Sequence, residues 1–168
     1  MRKIFILFFV LIIAMLQLGI FSYIQILAGK VDLLMLGAIA WVIQKQTGML
    51  DIVIYSGITI FFISLISAEP IGIILGLYSI IAFVVFWSKN NIQQLPIVSM
   101  LIFSAIFTFL HLAIFGFYLQ LSGLPMTAKE VFQSVILPSM IINLIVAVPM
   151  FLLVNELQRW VYPLAEET

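Results

Sequence analysis

The sequence predicts an all-α membrane protein of six transmembrane helices, on three observations. Of 168 residues, 65% are hydrophobic and only 8% charged, whereas soluble domains carry roughly a quarter charged residues because their surface faces water. The apolar residues fall in runs too long and too numerous for one buried core, so the solvent that accommodates them is lipid. Lysine and arginine are also distributed unevenly between the two sides of such a membrane. Seven basic and seven acidic residues give a net charge of zero, which leaves no basic face for nucleic acid. Cysteine is absent, and with it go disulfides, thiolate metal sites and cysteine nucleophiles. No linker or clear internal repeat divides residues 1–168, which read as one six-helix transmembrane domain with no soluble domain.

A spanning helix needs roughly 20 mainly apolar residues, each adding about 1.5 Å across about 30 Å of hydrocarbon. Met1-Arg2-Lys3 has the basic start of a signal peptide, but the apolar stretch 4–28 exceeds the roughly 7–15 residues of a cleaved signal and reads as a retained first span. Residues 49–66, 71–87, 95–121 and 131–154 supply the third to sixth. The second, 31–44, is short; it either spans while Lys30 and Lys45 snorkel to the interfaces, or it is re-entrant. Charge separates these readings. Six spans put Arg2, Lys3, Lys45, Lys89 and Arg159 inside and only Lys30 and Lys129 outside, as short loops require. A re-entrant second segment reverses that majority. Both termini are therefore expected in the cytoplasm.

The segment ends carry matching chemistry. Asp32 and Asp51 stand at the starts of the second and third helices, where a carboxylate complements exposed amides. Ser122-Gly123-Leu124-Pro125 breaks the chain after the fifth helix, and Thr127 with Glu130 has capping-box spacing before the sixth. Trp41, Trp87, Trp160 and Tyr162 fall near cytoplasmic ends, as interfacial anchors.

Polar groups inside a membrane demand a partner or a purpose. His111, the only histidine, lies within the fifth helix; a neutral ring bonded to a neighbouring helix outweighs a proton shuttle, because no other helix centre carries an acid. Asn143 in the sixth helix can bond across to another helix for about 0.6 kcal/mol. Pro138 and Pro149 flank it and should bend that helix. Glu69-Pro70 forms the outer turn before the fourth helix, with the proline suited to its first turn and Glu69 a capping or solvated acid. Gly72 and Gly76 follow at a spacing that lets helices approach closely. Enzyme signatures fail: there is no HExxH, no phosphate-binding glycine loop, and no serine motif to pair with His111. No catalytic residue, metal site or cofactor is expected.

Three stretches resemble the MreD family of bacterial rod-shape membrane proteins. Val31-Asp32-Leu33-Leu34-Met35-Leu36, ending in Ala40-Trp41, is similar to the family's opening of the second helix. Ser64-Leu65-Ile66-Ser67-Ala68-Glu69-Pro70-Ile71-Gly72 resembles its next outer turn, with Ser64 where members often carry aspartate, Ala68 replacing a glycine, and Val31 replacing the proline before Asp32. Leu137-Pro138 through Asn143 and Pro149, then Arg159-Trp160, resembles its last helix.

The resemblance implies a non-enzymatic scaffold of the cell-wall elongation complex that associates with MreC and maintains cell shape, in company with MreB, RodA and a class B penicillin-binding transpeptidase. Self-association is compatible with it. The docking contact is expected at the sixth helix or at the Glu69 turn with Gly72. The chain also resembles the six-helix substrate-binding subunits of energy-coupling-factor vitamin transporters, which implies capture of a small molecule near the outer face. Such a pocket needs several convergent polar groups. The sequence offers chiefly Asn143, His111 and Glu69, a sparseness that favours the scaffold.

Overall fold

The computed structural model describes residues 2–23, 27–45, 47–67, 69–92, 95–123 and 127–161. They form α1 (Arg2–Gly19), a 3₁₀ turn (Phe21–Tyr23), α2 (Leu33–Ile43), α3 (Met49–Ile66), α4 (Ile71–Ile92), α5 (Pro96–Leu121), α6 (Ala128–Val131), a π turn (Phe132–Ile136) and α7 (Leu137–Val161). Met49–Ile66, Ile71–Lys89, Pro96–Leu121 and Ala128–Val161 are long and apolar enough to cross a membrane, while Lys3–Gly19 and Leu33–Ile43 are shorter apolar helices. The chain is accordingly a multi-pass membrane protein. Leu124, Pro125, Ala68 and Tyr162 of the sequence reading lie outside the described residues.

The short second segment becomes the centre of the bundle. Eleven helical residues rise only about 16 Å, little more than half of a bilayer's hydrocarbon. All eleven are buried, because α1, α3, α4, α5 and α7 pack around α2. A helix that is apolar on every face is one surrounded on every side, and here the surroundings are protein. Trp41, expected as an interfacial anchor, is 0% exposed. Its indole stacks on Tyr55 at 5.2 Å between centroids and lies 5.6 Å from Phe9. Trp87 and Trp160 are exposed, as anchors should be.

Polar contacts show which groups share an end of the bundle. At one end, Lys89 donates to the Thr47 carbonyl at 2.6 Å, and Gln158 Nε2 donates to Thr47 Oγ1 at 3.0 Å and to the Trp41 carbonyl at 3.3 Å. The ends of α2, α4 and α7 therefore meet there, together with the first turns of α1 through Phe9. At the opposite end, Leu34 N–H donates to Gln17 Oε1 near the end of α1, and Lys30 N–H donates to Ser139 Oγ near the start of α7. This arrangement groups Thr47 with Lys89 and α7's carboxyl end, and sets them apart from Lys30. Lys89 itself is buried rather than lying in a loop.

Several expected elements change their bounds, the fourth running on from residue 87 to Ile92. The helix beginning at residue 4 stops at Gly19 and passes into the 3₁₀ turn rather than continuing to residue 28. The last helix starts at its capping box, where Thr127 Oγ1 accepts from Glu130 N–H and the Glu130 side chain accepts from Thr127 N–H, and it runs to Val161. A π turn precedes Pro138. Proline has no N–H to give the carbonyl four residues back, and that carbonyl, of Ser134, accepts from Ala28 N–H at 3.1 Å instead. After α5, Gly123 takes φ +89°, a left-handed conformation suited to glycine at a helix end.

The Ala28–Ser134 bond seats the segment before α2 against α7 with no room to spare. A Cβ on Gly29 would lie 2.7 Å from both Pro138 Cβ and the Ser139 backbone nitrogen. On Gly37, at the middle of α2, it would lie 2.7 Å from the Tyr55 hydroxyl and 2.9 Å from the Met150 methyl. Backbone cannot yield as the tips of side chains can. Gly29→Ala is therefore expected to destabilise by about 1–3 kcal/mol, the usual range for overpacking, and more than Gly37→Ala does. Thermal unfolding of the purified protein in detergent checks the order.

Candidate functional site

Asp32 is the N-cap of α2, its carboxylate accepting from Met35 N–H at 2.9 Å. Capping was the expected role. The structure adds three further partners, because the short helix starts inside the bundle rather than at its surface. The Tyr78 hydroxyl of α4 donates to the same carboxylate at 3.3 Å. His111 of α5 brings Nδ1 to 3.5 Å from Asp32 Oδ2 and Nε2 to 2.8 Å from Glu69 Oε2. The Asp32 backbone N–H donates to Asn143 Oδ1 at 2.9 Å, and Asn143 Nδ2 donates to Thr108 Oγ1 at 3.0 Å.

His111 thus has acidic partners that no helix centre supplies; they come from a cap and a turn. The ring bridges the two carboxylates, with Nε2 within hydrogen-bond distance of Glu69 and Nδ1 in ion-pair range of Asp32. Glu69 is not a solvated acid, since only 12% of its side chain is exposed. Asn143, 1% exposed, ties α7 to α2 and α5 as a packing amide would.

The remaining sequence candidates divide. Pro70 immediately precedes α4, and its carbonyl accepts from Ile73 N–H at 2.9 Å. Pro138 is buried at the second residue of α7, while Pro149 is exposed on the same helix. Gly72 and Gly76 do not serve helix packing within this chain, because a Cβ on either would meet nothing within 4 Å. Gly72 is exposed and Gly76 partly so. Ser64 donates to the Phe61 carbonyl at 2.7 Å within its own helix. Asp51 lies in the first turn of α3 and is buried, with Gly48 rather than an acid at the cap.

A cavity of about 600 Å³ lies over the Asp32 cluster. Thr108 and Asn143 meet at the level of Asp32, yet α5 continues to Leu121, about 20 Å further at 1.5 Å per residue. The neighbouring helices outrun α2, and the space above its first turn remains. Its wall combines Asp32, Glu69, His111, Asn143, Thr108, Ser139 and Gln17 with Leu18, Phe21, Met35, Phe115 and Leu119. Volumes of about 300–1,000 Å³, mostly apolar with a few placed polar groups, are those of small-molecule sites. Among the described residues, no group of three or more His, Cys, Asp or Glu side chains is suited to hold a metal ion.

Sequence reading missed Gln17, Tyr78, Thr108 and Ser139 as members of this cluster. One signal was present in Gln17, a full amide in an otherwise apolar helix. The hydroxyl residues gave none, since serine and threonine bond their own helix as readily as a neighbour.

No protein-family model, curated protein or solved structure matches the chain.

Replacing Asn143 with leucine removes an acceptor and a donor while keeping the volume close, and strands the Asp32 N–H in the interior. The expected loss is about 1–3 kcal/mol, the cost of an unsatisfied buried group. Chemical unfolding of Asn143→Leu in mixed micelles measures it.

Proposed function

We propose that this chain is an MreD-type scaffold: a six-span protein of the bacterial cytoplasmic membrane, termini inside, that associates with MreC and places elongation-complex partners beside one another. One observation carries the reading. The three stretches on which the resemblance rests, far apart in sequence, converge on a single point, with Asp32 N–H bonded to Asn143 at 2.9 Å and Glu69 joined to Asp32 through His111. Residues that resemble one family and also form one cluster support a shared architecture better than three unrelated matches would. MreB, RodA and a class B penicillin-binding transpeptidase enter as complex members on the same resemblance.

The α4 face bearing Gly72 and Gly76 fits a docking helix, because close approach needs small residues that the chain does not itself cover. Gly72→Trp and Gly76→Trp should leave expression and unfolding temperature unchanged and lower MreC recovery on co-purification at least fivefold. Undiminished recovery with both variants sinks this docking face.

Topology has its own test, helped by the absence of cysteine. Single cysteines at Lys45 and Arg159 should react only with reagent that enters the cytoplasm, and those at Lys30 and Lys129 with reagent added outside. A Lys30 cysteine labelled from the cytoplasmic side overturns the six-span orientation.

A second reading, the substrate-binding subunit of an energy-coupling-factor transporter, gains from the cavity. The polar groups that the sequence left sparse are joined there by Asp32, Gln17, Thr108 and Ser139. The scaffold remains the conclusion because three stretches of the sequence, and not only its outline, resemble that family.

A further inference from the structure

We infer that the cavity above α2 is a binding site for a small organic cation with an apolar or aromatic body, held by its nitrogen against the Glu69–His111–Asp32 cluster. This goes beyond the scaffold reading and does not depend on it. The argument rests on volume, charge and wall chemistry together.

Two carboxylates meet one imidazole at this recess, so acidic groups outnumber basic ones in the cluster and bias it toward negative charge. Only 12–18% of these side chains is exposed, so the charge sits in a poorly hydrated recess where an unpaired ion is costly and a partner ion is strongly favoured. Lys30 also lines the cavity, but its side chain is exposed and its ammonium can remain in water. Asn143 accepts from Asp32 N–H and donates to Thr108, which fixes the floor in place before any ligand arrives.

The rest of the wall selects the body of the ligand. Phe21, Phe115, Leu18 and Leu119 face the same space, and aromatic rings attract a cation through their faces as well as covering apolar surface. A carboxylate-bearing ligand would meet like charge here, and a metal ion would find too few ligating groups. An amine with a flat apolar body satisfies both halves of the wall. A volume near 600 Å³ leaves room for a body larger than a single ring.

The test uses the full chain in lipid nanodiscs, with tryptamine as the cationic probe, tryptophol as its neutral counterpart and indole-3-propionate as the anion. Tryptamine should raise the unfolding temperature saturably, and the other two should not. Glu69→Gln should weaken the tryptamine midpoint roughly tenfold, as loss of a charge-assisted contact does. Leu119→Trp, which fills the cavity without touching the charged cluster, should abolish the shift, and it keeps the proposal testable should Glu69→Gln fail to fold. Equal stabilisation by tryptophol, no response to tryptamine, or a response unchanged in folded variants overturns the proposal. These outcomes are independent of MreC recovery, so failure here leaves the scaffold reading standing.

Discussion

A helix end buried in a membrane protein must find partners for its free N–H and C=O groups, since lipid offers none. In this protein both ends of α2 face that demand at once. At the start, Ser139 accepts from Lys30 N–H, Asn143 from Asp32 N–H, Gln17 from Leu34 N–H, and Asp32 itself from Met35 N–H. At the finish, the Trp41 carbonyl receives both the Thr47 hydroxyl and Gln158 Nε2. Side chains from α1, α7 and the adjoining loops are thereby committed to α2, and the outer helices take their places around a helix too short to reach either surface unaided.

The cavity is the other face of the same constraint. A helix of full length would fill the bundle from end to end, whereas α2 stops short and leaves a space floored by its own N-cap. Acidic, imidazole and amide groups gathered to satisfy or flank that cap therefore line a recess. Structural and binding roles are not alternatives at Asp32. Its backbone N–H and one hydrogen-bonded oxygen hold the helix, while its position beside His111 gives the recess its charge.

Much of this was legible in the sequence, and the reasons for the rest are specific. Residues 49–66 coincide with α3 because Gly48 and Ser67 bound a mainly apolar run of spanning length. Thr127 and Glu130 announced a capping box by spacing alone. Burial of α2 was illegible for a physical reason: an apolar side chain is equally at home in lipid and in protein, so composition cannot tell a central helix from a peripheral one. Trp41 failed on the same ground, its indole meeting Tyr55 rather than an interface. His111 was read as lacking acids because carboxylates were sought in helix centres, whereas Asp32 enters the interior as the cap of a short helix and Glu69 from a turn.

Amide hydrogen exchange across residues 30–36, measured in nanodiscs, bears most directly on the buried, fully bonded start of α2. If side chains of α1 and α7 hold these amides inside the bundle, they exchange only with global unfolding, as slowly as the centres of α5 and α7. Exchange of Asp32, Leu34 and Met35 on the timescale of a frayed helix end would place that terminus in contact with water and contradict the account.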